Sequence, residues 1–371
     1  MSKKLIIFMG AIFGVMVLLI LAIYLMTSLK PRYVSFDDVE EKIAAATEKY
    51  FKKHPELLPQ TDGSHTLAYD NLVQDKVIEP LSKVVKGGEK CGAVITIVKS
   101  GANYSYMPYV NCGSDYTTVE LYKKVLQDNK LVGEGNGLYM TKDNEYFFRG
   151  NVKNNYVSFG SVTVKKKTTP LIWRILSIKD GNIKLVATTK LDERVKWDDR
   201  WNETENGFDG YNEFERSKIS EYLTNLYTSN SVLNANESGK LVPMKLCVGA
   251  RNKNDQSKTG ATECAKLSND NYYFGTITPY EYMRISLDSN CNGLKNRSCS
   301  NYNFLSSLNH STEWTVTSTD ENNYKAYTFS GTAFSESNTS NKSYIYPVIT
   351  INSYAFFKNG DGTSENPYLV K

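Results

Sequence analysis

LIWRILSIKDGNIKLVATT, residues 171–189, reads as a β-hairpin. Two β-rich runs, 171–178 and 183–188, flank Lys179-Asp180-Gly181-Asn182. Asp-Gly between such runs is a strong turn signal, because both central residues of the tight hairpin turn need a positive φ. Trp173 and Ile175 fall on one face, Ile172 and Leu176 on the other. A half-exposed strand alternates apolar and polar residues. Apolar residues on both faces predict a central hairpin covered on each side.

Downstream, KWDDRWNETENGFDGYN, residues 196–212, is polar with Trp197, Trp201, Phe208 and Tyr211 interspersed. A helix is expected over 214–227, where Ile219, Tyr222, Leu223, Leu226 and Tyr227 share one side. Short strands and long polar loops fill the remainder. Upstream, EYFFRG (145–150) and NNYVSFG (154–160) read as strands. Lys165, Lys166 and Lys167 read as a solvated loop, and LYKKVLQDNKLV (121–132) as a connecting helix.

Near the start lies LIIFMGAIFGVMVLLILAIYLMTSL, residues 5–29, which are 25 residues without a charge. A helix rises about 1.5 Å per residue, so roughly 20 apolar residues cross a bilayer core. A cleavable signal peptide has an apolar region of only about 7–15 residues. The run is expected to be a single uncleaved transmembrane helix acting as a signal anchor. Residues 1–4 would be a cytoplasmic tail, and the rest an extracellular region of a single-pass cell-membrane protein.

After it, Ser35 is placed to cap a helix with an apolar stripe of Phe36, Val39, Ile43, Ala46 and Tyr50, stopped at His54-Pro55. A second helical stretch is read over 67–78. CGAVITIVKS (91–100) and YSYMPYVNC (104–112) then read as strands joined at Gly101-Ala102-Asn103. Together these form a small α+β domain.

Composition narrows the function. Net charge is +4, from 44 basic and 40 acidic residues, with no Lys/Arg block carrying interleaved aromatics; nucleic-acid binding is not expected. With 26 tyrosines against 3 histidines, the chain suits a wet surface with hydrogen-bonding aromatics. Six cysteines allow 15 connectivities. The sequence-local set is expected: Cys91–Cys112, Cys247–Cys264 and Cys291–Cys299. Pairing of the first two strands would bring Cys91 and Cys112 together at the hairpin's open end. No C-x-x-C occurs, and His54, His65 and His310 lie far from the cysteines in sequence, so zinc is not expected.

No nucleophile elbow, phosphate loop or H-E-x-x-H is present, and no catalytic residue is assigned. Whether the chain is an enzyme stays uncertain; binding is favoured. The loop 196–212 supplies the candidate site: Trp197, Asp198, Asp199, Trp201 and Asp209. An aromatic face stacks on a sugar while nearby carboxylates accept its hydroxyl hydrogens. The same oxygens would suit calcium as a bound cofactor. The alternative is a loop folded back with both tryptophans in the core, and the two readings stay open here.

Two resemblances accompany this reading. The helix, YDNLVQDKVI (69–78) and CGAVITIVKSGANYSYMPYVNCGSDYTT (91–118) resemble the pilin-like proteins of Gram-positive bacteria, over about residues 1–118. PLIWRI from Pro170, then Ser217, Ile219, Tyr222 and Leu223, ITPYEY from Ile277, EWTVTS from Glu313, YPVITI from Tyr346 and NGDGTSENPYLV at 359–370 follow in order. That set resembles bacterial extracellular domains related in fold to C-type lectins and formylglycine-generating enzymes, over roughly 134–371. The resemblance implies a small sheet with two helices and long loops gathered on one side.

The expected class is therefore α+β: a transmembrane helix at 5–29, a pilin-like domain at 30–120, a connector at 121–133 and a C-type-lectin-like extracellular domain at 134–371. The expected function is a membrane-anchored extracellular binding or adhesion module of a bacterial cell surface, meeting a cell-wall glycan or a surface protein. The alternatives are a structural subunit of a pilus-like or envelope assembly, and an envelope enzyme acting on glycans.

Overall fold

The computed structural model describes residues 16, 17, 19, 33–100, 103–164, 167–288, 302–307, 311–331 and 333–371. It is mixed α and β, and it divides into two compact units, Met1–Thr118 and Val119–Lys371.

The expected transmembrane helix needs correction. Among the described residues no helix is long and apolar enough to cross a membrane. The 18-residue helix α1 (Phe36–Lys53) has the length but is studded with Asp, Glu and Lys. Burying such charges in hydrocarbon is prohibitive. Of 5–29, only Met16, Val17 and Leu19 are described; the rest of that stretch lies outside the described residues, as does 1–4. The described residues are α+β, with no membrane-crossing helix among them.

In the first unit, α1 buries Val39, Ile43, Ala46, Tyr50 and Phe51 against Ile95, Ile97 and Val110 of a three-stranded sheet. The helix stops at His54, whose backbone N–H still reaches Tyr50 O, because Pro55 follows. The strands β1 (Gly63–Ala68), β2 (Gly92–Ser100) and β3 (Asn103–Asn111) pair antiparallel in that order. Gly92 opposes Asn111, so Cys91 and Cys112 meet at the open end and form a disulfide. The buried carboxylate of Glu40 on α1 accepts from Tyr116 Oη and from Thr118 Oγ1 at 2.6 Å, tying the helix to the segment after β3. The helix expected over 67–78 is shorter: α2 covers Tyr69–Gln74. Residues 63–68 pair with Val94–Lys99 instead, and the ladder overrides the helical spacing that placed Leu67 in the helix.

The second unit is built on one large sheet. Its strands are β4 (Gly137–Met140), β5 (Tyr146–Arg149), β6 (Tyr156–Val164), β7 (Lys167–Lys179), β8 (Asn182–Ala187), β14 (Val348–Ile351), β15 (Phe357–Asn359) and β16 (Tyr368–Val370). The order is β14-β8-β7-β6-β16-β15, with β5 also pairing β7 and β4 pairing β5. The hairpin β7–β8 turns at Asp180 and Gly181, at φ 51° and 77°, with Lys179 opposite Asn182. It is central and covered on both faces: Trp173, Ile175 and Ile178 are buried, and so are Arg174 and Leu176.

Arg174 has no carboxylate partner among the described hydrogen bonds. Its guanidinium donates to Asn155 Oδ1 (2.6 Å), Tyr156 Oη (3.0 Å) and Val152 O (2.7 Å). It lies 3.9 Å from the Tyr156 ring centre and 4.7 Å from that of Phe304. Burial pulls its pKa down to about 10. The aromatic faces and carbonyl oxygens stand in for an anion.

The helix α4 (Leu121–Asp128) follows α3 (Leu81–Val84) in the chain. It packs Leu121 and Val125 into the second unit's core rather than serving as a free connector. Strand β7 starts at Lys167, so this lysine leaves the expected loop; Lys165 and Lys166 lie outside the described residues. The helix α5 (Lys218–Thr228) is capped by Ser217, which accepts from Ser220 N, and buries Ile219, Leu223 and Leu226. The short helices α6 (Ala235–Ser238) and α7 (Pro279–Ile285) both start with capping boxes. A second sheet, β10 (Glu313–Ser318), β11 (Lys325–Phe329) and β12 (Phe334–Asn338), carries Trp314 fully buried. Strands β9 (Val195–Lys196) and β13 (Lys342–Ser343) pair separately. Cys247 and Cys264 are disulfide-bonded; Cys291 and Cys299 lie outside the described residues, as does His310.

Candidate functional site

Leaving β9, the chain enters the aromatic loop and is pinned at once. The N–H groups of Trp197 and Asp198 both reach Thr339 O, at 2.9 and 3.0 Å. Trp197 turns inward. It is fully buried, its Nε1 donates to Thr315 O at 2.9 Å, and it meets Phe214 edge-on at 6.3 Å. It belongs to the core and cannot face a ligand, which corrects its place in the candidate site. This indole is one of the loop's anchors.

Asp198 is also buried. Its Oδ2 accepts from Arg200 Nε at 2.7 Å and from Tyr211 N at 2.8 Å, so the carboxylate closes the loop upon itself. It too is withdrawn from direct ligand contact. Asp199 is held by Lys218 at 3.1 Å and Lys196 at 3.2 Å. Burial lifts its carboxyl pKa, but the two lysines outweigh that and hold it below the usual carboxylate range. Gly210 passes where no other residue fits: its φ is +75°, and a Cβ there would sit 2.8 Å from the Asp198 carbonyl.

The tip is a tight turn. Asn202 and Gly207 exchange backbone hydrogen bonds at 2.7 and 3.3 Å, and the buried Asn202 side chain donates to Gly210 O at 2.7 Å. Asn323, from a distant segment, braces the turn through Asn202 (3.3 Å) and Thr204 (3.2 Å). On either side of this turn stand Trp201 and Phe208. Their rings meet edge-to-face at 5.1 Å and 81°, with 46% and 69% of the residues exposed. Asp209 is half-buried; its carbonyl accepts from Thr339 Oγ1 at 2.6 Å.

The five candidates thus divide. Trp201 and Asp209 reach the surface, Asp199 is locked to lysines, and Trp197 and Asp198 build the loop from beneath. Among the described residues no group of three or more His, Cys, Asp or Glu side chains could hold a metal ion. Sequence reasoning missed Phe208 as the partner ring and Asn202 as the latch. Asn202 had no local signal, because its support comes from residues 323 and 210.

A second cluster is ionic. Arg284 on α7 grips Glu145 through two bonds of 2.8 and 2.9 Å, while Lys184 on β8 pairs with Glu281. Burial lifts the Glu145 carboxyl, but Arg284 outweighs it and holds it below the usual range. Tyr280, between these groups, is pushed up to about 12 by burial and by Glu281. Each of the four charges has an opposite partner, so the set braces α7 against the sheet.

Neither a family model, nor a curated protein, nor a solved structure matches the chain.

Proposed function

We propose that this protein is an extracellular binding module whose contact surface is the loop 199–212, with Trp201 and Phe208 as its anchors. The observation that carries the reading is the exposed edge-to-face pair on a latched turn. Two large rings left in water forgo the stabilisation that burial gives, and partner surfaces are enriched in such residues. The latch matters equally, because a pre-ordered loop loses little entropy on binding.

Two further features support it. Disulfides persist in oxidising surroundings, and Cys91–Cys112 and Cys247–Cys264 are both formed. The ordered motifs that resemble lectin-like extracellular domains agree with a binding role at a bacterial cell surface. The test is a binding screen of cell-wall glycans and surface proteins with the wild-type chain and the Trp201→Ala/Phe208→Ala variant. The partner's signal should vanish in the variant while the thermal melt is preserved. Partners bound equally by both proteins would overturn the proposal.

A further inference from the structure

We infer that the Trp201–Phe208 surface takes a cationic side chain, an arginine or lysine of a basic protein segment, in preference to a neutral sugar. This rests on the proposed binding role and names its partner by charge.

The argument starts from which carboxylates of the loop are already matched. Asp198 has Arg200, and Asp199 has Lys196 and Lys218. Glu203, Glu205 and Asp209 have no ion pair among the described residues. Glu203 and Glu205 are exposed and lie in the turn between the two rings. Asp209 follows Phe208, and its carboxylate folds back on the turn: Oδ2 lies 3.1 Å from where a Cβ at Gly207 would stand. Three carboxylates without an ion pair among the described residues therefore flank the two exposed rings along the chain.

The cations described in and beside the loop are engaged in ion pairs. Arg200 is the one basic residue between 197 and 212, and it is held by Asp198 and lies over Tyr211 at 5.2 Å. In the bracing segment Glu321 is matched by Lys253 at 2.9 Å. The whole chain is net positive at +4, so this negative field is local to the site.

An aromatic face attracts a cation through its quadrupole, and the attraction grows when carboxylates border the ring. A neutral sugar could stack on Trp201 and donate hydroxyl hydrogens, but it would leave three charges uncompensated. An arginine or lysine lays its apolar stem on the indole and brings its charged head to the acids.

Fluorescence gives a local readout. Of the 4 tryptophans, Trp173, Trp197 and Trp314 are fully buried and Trp201 alone is exposed. The full chain is titrated with a tetra-arginine peptide and, separately, with a neutral chitin disaccharide, in about 150 mM salt. Both titrations are repeated on Trp201→Ala and on Glu203→Gln/Glu205→Gln/Asp209→Asn. The peptide should shift the Trp201 emission, Trp201→Ala should remove the shift, and the triple variant should bind about tenfold more weakly, as the loss of three partly exposed charge contacts implies. Caesium should quench Trp201 more strongly than iodide. Sugar binding that Trp201→Ala removes and the triple variant leaves unchanged would overturn the cationic partner while sparing the binding role. No response to the peptide, or a peptide response indifferent to the three acids, would overturn it as well.

Discussion

Arg251 and Glu263 meet at 2.6 Å with both side chains fully buried. Arg251 also donates to the carbonyls of Asp255 (3.0 Å) and Ser257 (2.7 Å), and Glu263 accepts from Tyr280 N at 3.1 Å. The pair sits beside the Cys247–Cys264 disulfide and fixes a stretch of irregular backbone in place. A buried pair of this kind gives little net stability, yet losing one member strands the other charge. Arg251→Met should cost about 3–5 kcal/mol in urea unfolding of the second unit. Arg251→Met/Glu263→Leu should recover most of that loss. A single variant as stable as the wild type would show the pair to be idle.

Both described disulfides close modest loops, spanning 21 and 17 residues in sequence. On the chain-entropy account each contributes about 3 kcal/mol. Replacing Cys247 and Cys264 together by Ala should lower stability by that order. The check is a denaturant midpoint measured with and without reductant. Reductant should shift the wild type and leave this pair's contribution absent in the variant.

The Glu145–Arg284 contact predicts an acid limb. Glu145 has a folded-state pKa below its unfolded value, so the folded state holds its proton less tightly. Its stabilisation is complete above the unfolded value, near ~4.3, and is lost as pH falls through the lower folded value. Glu145→Gln should lose stability at neutral pH and show a flatter decline below about pH 4. Equal slopes for the two proteins across that range would remove Glu145 from the acid response.

Gly210 tests the loop's construction. Alanine would have to hold a left-handed φ of +75° with its Cβ 2.8 Å from the Asp198 carbonyl. Gly210→Ala should cost about 1–3 kcal/mol. It should also raise acrylamide quenching of the buried Trp197. A neutral substitution would mean the loop does not depend on this close approach.

The hairpin 171–188 was legible because its signals are local: Asp180-Gly181 sets the turn, and the doubly apolar strands set its central position. The helix after Phe214 was legible for the same reason, with Ser217 as cap and Ile219 and Leu223 one turn apart. Local sequence said less where the partner is remote. Leu67 had helical spacing, but its strand partner Ile95 decided its conformation. The candidate site shows the same limit more sharply. Trp197 and Trp201 lie four residues apart in one polar loop. One is drawn into the core by Thr315 and Thr339, and the other is held in water by a turn that Asn323 supports. Nothing near either tryptophan in the sequence distinguishes them. The apolar run at 5–29 gave an expectation of a membrane helix that no described helix meets.

The contrast between these two tryptophans sets up the central test. Trp197→Ala should cost about 3–5 kcal/mol, as removal of a buried aromatic does, whereas Trp201→Ala should leave the melt nearly unchanged. The most direct measurement is therefore the binding isotherm of Trp201→Ala/Phe208→Ala beside that of the wild type, against every partner found in a glycan and surface-protein screen, with a thermal melt run on each sample. The account predicts a wild-type melt and no binding. Full-strength binding by the double variant would contradict it.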